Sequence, residues 1–223
     1  SQIFTWVRNG SINVAEEKLL IADLLSAANR AANIAGTYGC FLSSWTNQGL
    51  AHLSLRPREL REEAVPTDAT VGDVNTIEVQ ESDTLYLDPP YTKRQYASYY
   101  HILETITLGD APVVEGVSGL RPWRHLASDF CYKRKALHAL RTLITAMPAH
   151  RTLLSYSNEG HIKLDDLQAA LGDVGTIEIH PLKSIGRYRP NIVASGAGSD
   201  VHEYLMVIER PRQVQRRVAG RRV

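Results

Sequence analysis

Leu85-Tyr86-Leu87-Asp88-Pro89-Pro90-Tyr91 sets a carboxylate, two prolines and an aromatic ring at the end of a short apolar run. A run of this kind, closed by turn residues, reads as a strand. In open α/β sheets the carboxyl ends of the strands are where ligands bind. Consecutive prolines fix the backbone and remove two N–H donors, so the carbonyls of the turn stay available as acceptors. Asp88 adds a charged acceptor, and Tyr91 adds a stacking face.

The Asp88 carboxylate and the Pro89 carbonyl together suit an exocyclic amine on a planar ring, such as N6 of adenine. Accepting both amine hydrogens raises electron density on the nitrogen and turns its lone pair toward an electrophile. An adenine in duplex nucleic acid must first leave the stack, because N6 is not approachable in line inside it. Most of the rate then comes from positioning and electrostatic preorganisation. The plain alternative is a turn that only ends a strand.

The elements that must position this turn follow from periodicity. Leu19, Leu20, Leu24, Ala27, Ala28, Ala31 and Ile34 recur at helical steps, so residues 14–35 read as a helix stopped by Gly36. Residues 46–70 are polar, carry two prolines and read as an excursion. A short strand is expected over 69–74 and a clearer one over 84–87. Helices are expected over 96–108, 129–146 and 164–171. Further strands are expected over 152–155, 176–180 and 203–209. Residues 109–122 and 184–199 read as loops. Alternation of strands and helices argues for a mostly parallel sheet covered on both faces, with the last two strands as an antiparallel edge hairpin. The resulting division is a helical segment and loop at 1–68, a core at 69–210 and a basic tail at 211–223.

Composition excludes little. The 223 residues are 43% hydrophobic and 22% charged with formal net charge +1, ordinary for one globular α/β domain. Six arginines between positions 210 and 223 suit either a solvated terminus or a phosphate-contacting tail. Cys40 and Cys131 have no zinc or redox spacing, so reduced thiols and a cytoplasmic setting are expected. No apolar run has the length of a membrane span. No metal-ligand cluster, P-loop or Ser/His/Asp order is readable.

Around the turn, residues 85–106 read LYLDPPYTKRQYASYYHILETI, with Arg94-Gln95-Tyr96 and Tyr100-His101-Ile102-Leu103-Glu104-Thr105 following the aspartate. Three further blocks occur in order: residues 32–39, ANIAGTYG; residues 154–160, LSYSNEG; and Glu203-Tyr204-Leu205. This pattern resembles the D12 class of bacterial adenine-specific DNA methyltransferases from about residue 10 to 209. The resemblance implies a class I methyltransferase-like, Rossmann-like fold using S-adenosylmethionine, bacterial or phage-encoded, acting on double-stranded DNA in restriction-modification or phage defence. It implies that Asp88, Pro89, Pro90 and Tyr91 form the target-adenine site. It also implies that Asp73, with Asp88, contacts the cofactor; a plain loop aspartate is the alternative for Asp73.

Lys93, Arg94, Tyr96, Arg187 and Arg189 are candidate DNA contacts, set against solvated or disordered loops. His101 is expected to be a packing histidine rather than a base. Asn158 and Glu159 either shape the base pocket or cap the next helix, and a structural role is favoured.

The family's N-terminal F-x-G-x-G cofactor motif has no counterpart here. The first strand and its helix are therefore expected to be missing. A fragment, residues absent from the sequence, or a partner subunit supplying the piece would each account for it. Two other activities compete with DNA methylation: an amino-group methyltransferase acting on RNA or a protein glutamine, and a degenerate chain that binds DNA or a partner without catalysis.

Overall fold

The computed structural model describes residues 2–40, 42–63, 65–182 and 201–211, which divide into two compact units. One contains residues 1–69 and 95–127; the other contains 70–94 and 128–223. Sequence order alone places 95–127 with the core segment, whereas compactness groups them with the N-terminal helices.

The first unit holds α1 (Gln2–Arg8), α2 (Val14–Ala31), α3 (Tyr96–Tyr99) and α4 (His101–Leu108). Asn13 caps α2 through a reciprocal box: its side chain accepts from the Ala15 and Glu16 amides, and Glu16 accepts from the Asn13 amide. The helix ends at Ala31, four residues before the expected stop. Asn33 explains the early end, because its side chain accepts from the Thr46 amide and hydroxyl and donates to the Ser44 carbonyl. These bonds, to residues 11 and 13 positions further on, hold Asn33 outside the helix. The expected helix over 96–108 is broken at Tyr100 into α3 and α4. Gly109 ends α4 at φ +64, and a Cβ there would lie 2.2 Å from the Phe4 ring, so glycine is required on both counts.

His101 is 2% exposed and ties this unit together. Its Nε2 lies 3.1 Å from the Tyr38 carbonyl, and its Nδ1 accepts from the Arg121 amide at 3.4 Å. That is the packing role expected for it. The polar 46–70 stretch is almost wholly exposed, as expected of an excursion, and is moored to α2 by an Arg58–Asp23 ion pair at 2.9 Å.

The second unit is a four-stranded sheet: β1 (Thr84–Leu87), β2 (Arg151–Ser157), β3 (Thr176–Pro181) and β4 (Glu203–Glu209), in the order β1-β2-β4-β3. The β1–β2 pairing is parallel; β2–β4 and β3–β4 are antiparallel. Among the described strands the parallel character is thus confined to β1–β2, and the antiparallel edge arrangement of the last two strands is present. No strand forms over 69–74; a 3₁₀ turn at Val74–Thr76 stands nearby instead.

Thr152, Leu154 and Tyr156 of β2 and Tyr204, Met206 and Ile208 of β4 alternate into one buried face. Helices α5 (Ala136–Ala146) and α6 (Leu164–Leu171) supply Ala136, Leu140, Ile144, Leu167 and Leu171 to the same core cluster. The expected helix over 129–146 begins late, after a 3₁₀ turn at Asp129–Cys131. Leu154 and Met206 are register partners and wholly buried. Leu154→Ala is therefore expected to cost about 2–5 kcal/mol of stability, read by urea unfolding.

Candidate functional site

Asp88 sits where β1 stops. Leu87 is the last paired residue, in register with Leu154 of β2, and the two prolines that follow Asp88 cannot donate to a ladder. Asp88 is exposed, while Pro89, Pro90 and Tyr91 are half-buried. Parallel pairing with β2 sets this turn at the same end of the sheet as Tyr156, Ser157 and Asn158.

Two backbone anchors hold the turn. The His161 amide donates to the Tyr91 carbonyl at 2.8 Å, and the Cys131 thiol donates to the Arg94 carbonyl at 3.2 Å. His161 Nε2 lies 3.1 Å from the Cys131 carbonyl, so both anchors are themselves joined. Cys131 is a buried free thiol, and desolvation pushes its pKa up.

The Tyr91 ring meets Tyr156 edge-on at 5.7 Å, and Tyr156 meets Tyr204 at 6.2 Å. Tyr156 itself accepts from the Ile162 amide. Gly160 permits this stack, since a Cβ there would lie 2.4 Å from the Tyr156 ring. Burial raises the Tyr91 phenol, and the carboxylates of Glu203, Asp88 and Glu159 raise it further against an opposing Arg94. Tyr91 is therefore a neutral hydroxyl beneath a negative field rather than a base.

Asn158 stitches the end of β2 to the start of β4: its amide donates to the His202 carbonyl, and its side chain accepts from the His202 amide. It does not cap the next helix, whose N-cap position is Lys163. Asp73 accepts from both the amide and the side chain of Asn75, which holds its carboxyl below the usual range. It is exposed and caps the 3₁₀ turn. Lys93 and Arg94 are exposed beside the anchored turn. Tyr96 belongs to the first unit, 53% exposed and edge-on to Tyr100 at 5.6 Å. Arg187 and Arg189 lie outside the described residues.

Cys131 and His161 carry no sequence signal for their anchoring roles. Each acts through one atom on a backbone carbonyl distant in sequence. Tyr156 was readable only as part of a matched block.

The model for D12 class N6 adenine-specific DNA methyltransferases matches residues 9–168, most of the chain. The chain belongs to this family. It is 34% identical over 206 residues to the type II methyltransferase M.FokI of Planomicrobium okeanokoites, covering 92% of the chain and 32% of that protein. It is 32% identical to the modification methylase StsI of Streptococcus sanguinis, over 94% of the chain and 32% of that protein. The type II methyltransferase M.NlaIII of Neisseria lactamica is 32% identical over 80% of the chain and 53% of its own length. The chain thus spans about a third to a half of these relatives. No solved structure matches it. Among the described residues, no helix of this D12 chain is long and apolar enough to cross a membrane.

The buried tyrosines give a pH signature. Burial pushes the Tyr204 phenol up to about 12, and Tyr156 adds to the shift. A raised acid pKa means the folded state holds its proton more tightly. Its stabilising contribution is complete below the unfolded value near 10 and is lost as pH rises through about 12. Between pH 9 and 11.5, urea stability is expected to fall less in Tyr204→Phe than in the parent chain; equal losses would contradict this.

Proposed function

We propose that this chain carries the adenine-binding half of a site-specific DNA adenine-N6 methyltransferase, and that the whole protein acts on double-stranded DNA in a modification system. The observation that carries the reading is the anchored turn: Asp88 and the Pro89 carbonyl follow a strand's carboxyl end, and the backbone of Tyr91 after them is held by the His161 amide. Family membership and the names of the relatives support the same reading.

In this proposal, Asp88 and the Pro89 carbonyl accept the two N6 hydrogens of an extruded adenine. Tyr91 stacks on its ring. Lys93 and Arg94 meet phosphates beside the gap, and Tyr96, Arg187 and Arg189 are further candidate contacts. Restraint of Tyr91 and Arg94 by His161 and Cys131 keeps the acceptors from relaxing away from the amine, which is how preorganisation lowers a barrier. The proton leaves after methyl transfer, so no base is required.

S-adenosylmethionine, when bound, supplies an electrophilic methyl group on a cationic sulfonium. The residues present fit one side of it. Asp88, Glu159 and Glu203 create a negative field at the turn, which favours a cation. Asp73, already engaged with Asn75, is the candidate for the cofactor's adenine. No glycine-rich fingerprint occurs in the 223 residues, and among the described strands β1 is an edge of the sheet with Tyr86 63% exposed. We assign the glycine-bearing, Rossmann-like half of the donor pocket to a segment or partner outside this sequence.

The test is incubation with methyl-labelled S-adenosylmethionine and duplex DNA, with and without an N-terminal segment bearing the glycine motif. Label in N6-methyladenine is expected. Label only in RNA or protein would sink the reading; DNA binding with no label under any condition favours a non-catalytic chain. Asp88→Asn, which keeps shape and removes charge, is expected to lower methylation at least about 100-fold with urea stability unchanged. Full activity in that variant would refute the role.

A further inference from the structure

Three segments of the second unit meet at the acceptor turn. The His161 amide holds the Tyr91 carbonyl, the Cys131 thiol holds the Arg94 carbonyl, and the His161 ring donates to the Cys131 carbonyl. Each joined segment carries a lysine two positions beyond a bonded residue: Lys93 after Tyr91, Lys133 after Cys131 and Lys163 after His161. Arg94 and Arg134 follow two of them directly. Two peptide steps span at most about 7 Å, so the three lysines start close to the junction. All of these cations are exposed.

Their lack of carboxylate partners sets them apart from the other cations of the unit. Lys135 pairs with Asp129 at 2.9 Å and rests over the Tyr132 ring. Arg141 pairs with Asp173 at 2.7 Å, and Arg151 pairs with Glu209. Arg210 donates to the Ile144 and Thr145 carbonyls. Among the described residues, no carboxylate lies within ion-pair distance of Lys93, Arg94, Lys133, Arg134 or Lys163. Asp165 and Asp166 stand in the first turn of α6, where carboxylates favour the helix's amino end. Cations gathered without partners repel one another, and a polyanion relieves that repulsion while releasing its own counterions.

We propose that Lys133, Arg134 and Lys163 complete, with Lys93 and Arg94, a phosphate-binding rim at the acceptor turn, which grips the backbone of the DNA strand that holds the extruded adenine. The inference rests on the reading of DNA as the substrate. It assigns Lys133, Arg134 and Lys163 to affinity and register rather than to methyl transfer. The hydrogen bonds among the three segments fix the spacing of the rim relative to Asp88.

The test is the salt dependence of binding to a duplex of about 20 base pairs, followed by fluorescence anisotropy from about 50 to 200 mM sodium chloride. Each phosphate contact contributes about 0.9 to the slope of log affinity on log salt. Replacing Lys133 and Arg134 with alanine is expected to lower the slope by about 1.8, and adding Lys163→Ala by about 2.7 in total. Urea stability should match the parent, because the side chains removed are exposed and unpaired. Lys135→Ala and Arg141→Ala, which remove cations already paired, are expected to leave the slope unchanged. Binding of DNA with the same slope in parent and rim variants overturns the inference and leaves the DNA reading standing. Equal losses in rim and control variants overturn it too, since any surface cation would then serve. A single-stranded RNA of the same length is the second arm. Rim-dependent binding of RNA with none of DNA keeps the phosphate rim and counts against the DNA reading. No binding to either nucleic acid overturns the inference.

Discussion

The parallel register of β1 on β2 is the constraint on which the rest of the site depends. Pairing Leu87 with Leu154 puts Asp88 beside the end of a strand whose next inward residue is Tyr156. A slip of one residue would turn Leu85 and Leu87 to the opposite face and carry Asp88 out of line with it. Leu154 is wholly buried between strand and helix, so the register is set by the core rather than by the turn. The prolines then end the strand at the proposed acceptors. The anchors from His161 and Cys131 limit what the chain can do afterwards.

The local electrostatics at the turn combine both signs of charge. Asp88, Glu159 and Glu203 act together on Tyr91, with Arg94 in opposition. Such a field repels phosphate but favours a cationic methyl donor and the amine hydrogens of a base. Exposed Lys93, Arg94 and Lys163 supply the opposite sign. Negative charge at the turn with positive charge at exposed positions is the arrangement that the proposed amine methylation on a nucleic acid would use.

Much of this was legible in the sequence where local chemistry decides. The DPPY turn, α6 and β4 were readable because proline, helical periodicity and strict alternation each speak within a few residues. The strand expected over 69–74 failed because a short apolar stretch without a neighbouring strand has no ladder to join; Asp73 and Asn75 fold it into a capped turn instead. The ends of α2 and α5 were misjudged because Asn33 and the 3₁₀ turn at Asp129–Cys131 act through tertiary or local bonds invisible to periodicity. The grouping of 95–127 with the N-terminal helices rests on contacts such as His101 with Tyr38, 63 residues apart in sequence.

Recognition of an exocyclic amine is the role proposed for Asp88 and the Pro89 carbonyl. Comparing deoxyadenosine with its N6,N6-dimethyl and amine-free purine counterparts tests it directly, with the Asp88 and Tyr91 amide resonances as reporters. The two acceptors predict that deoxyadenosine binds there and that both counterparts bind at least about tenfold more weakly, since each loses the hydrogens the acceptors hold. Equal binding of all three would contradict the account.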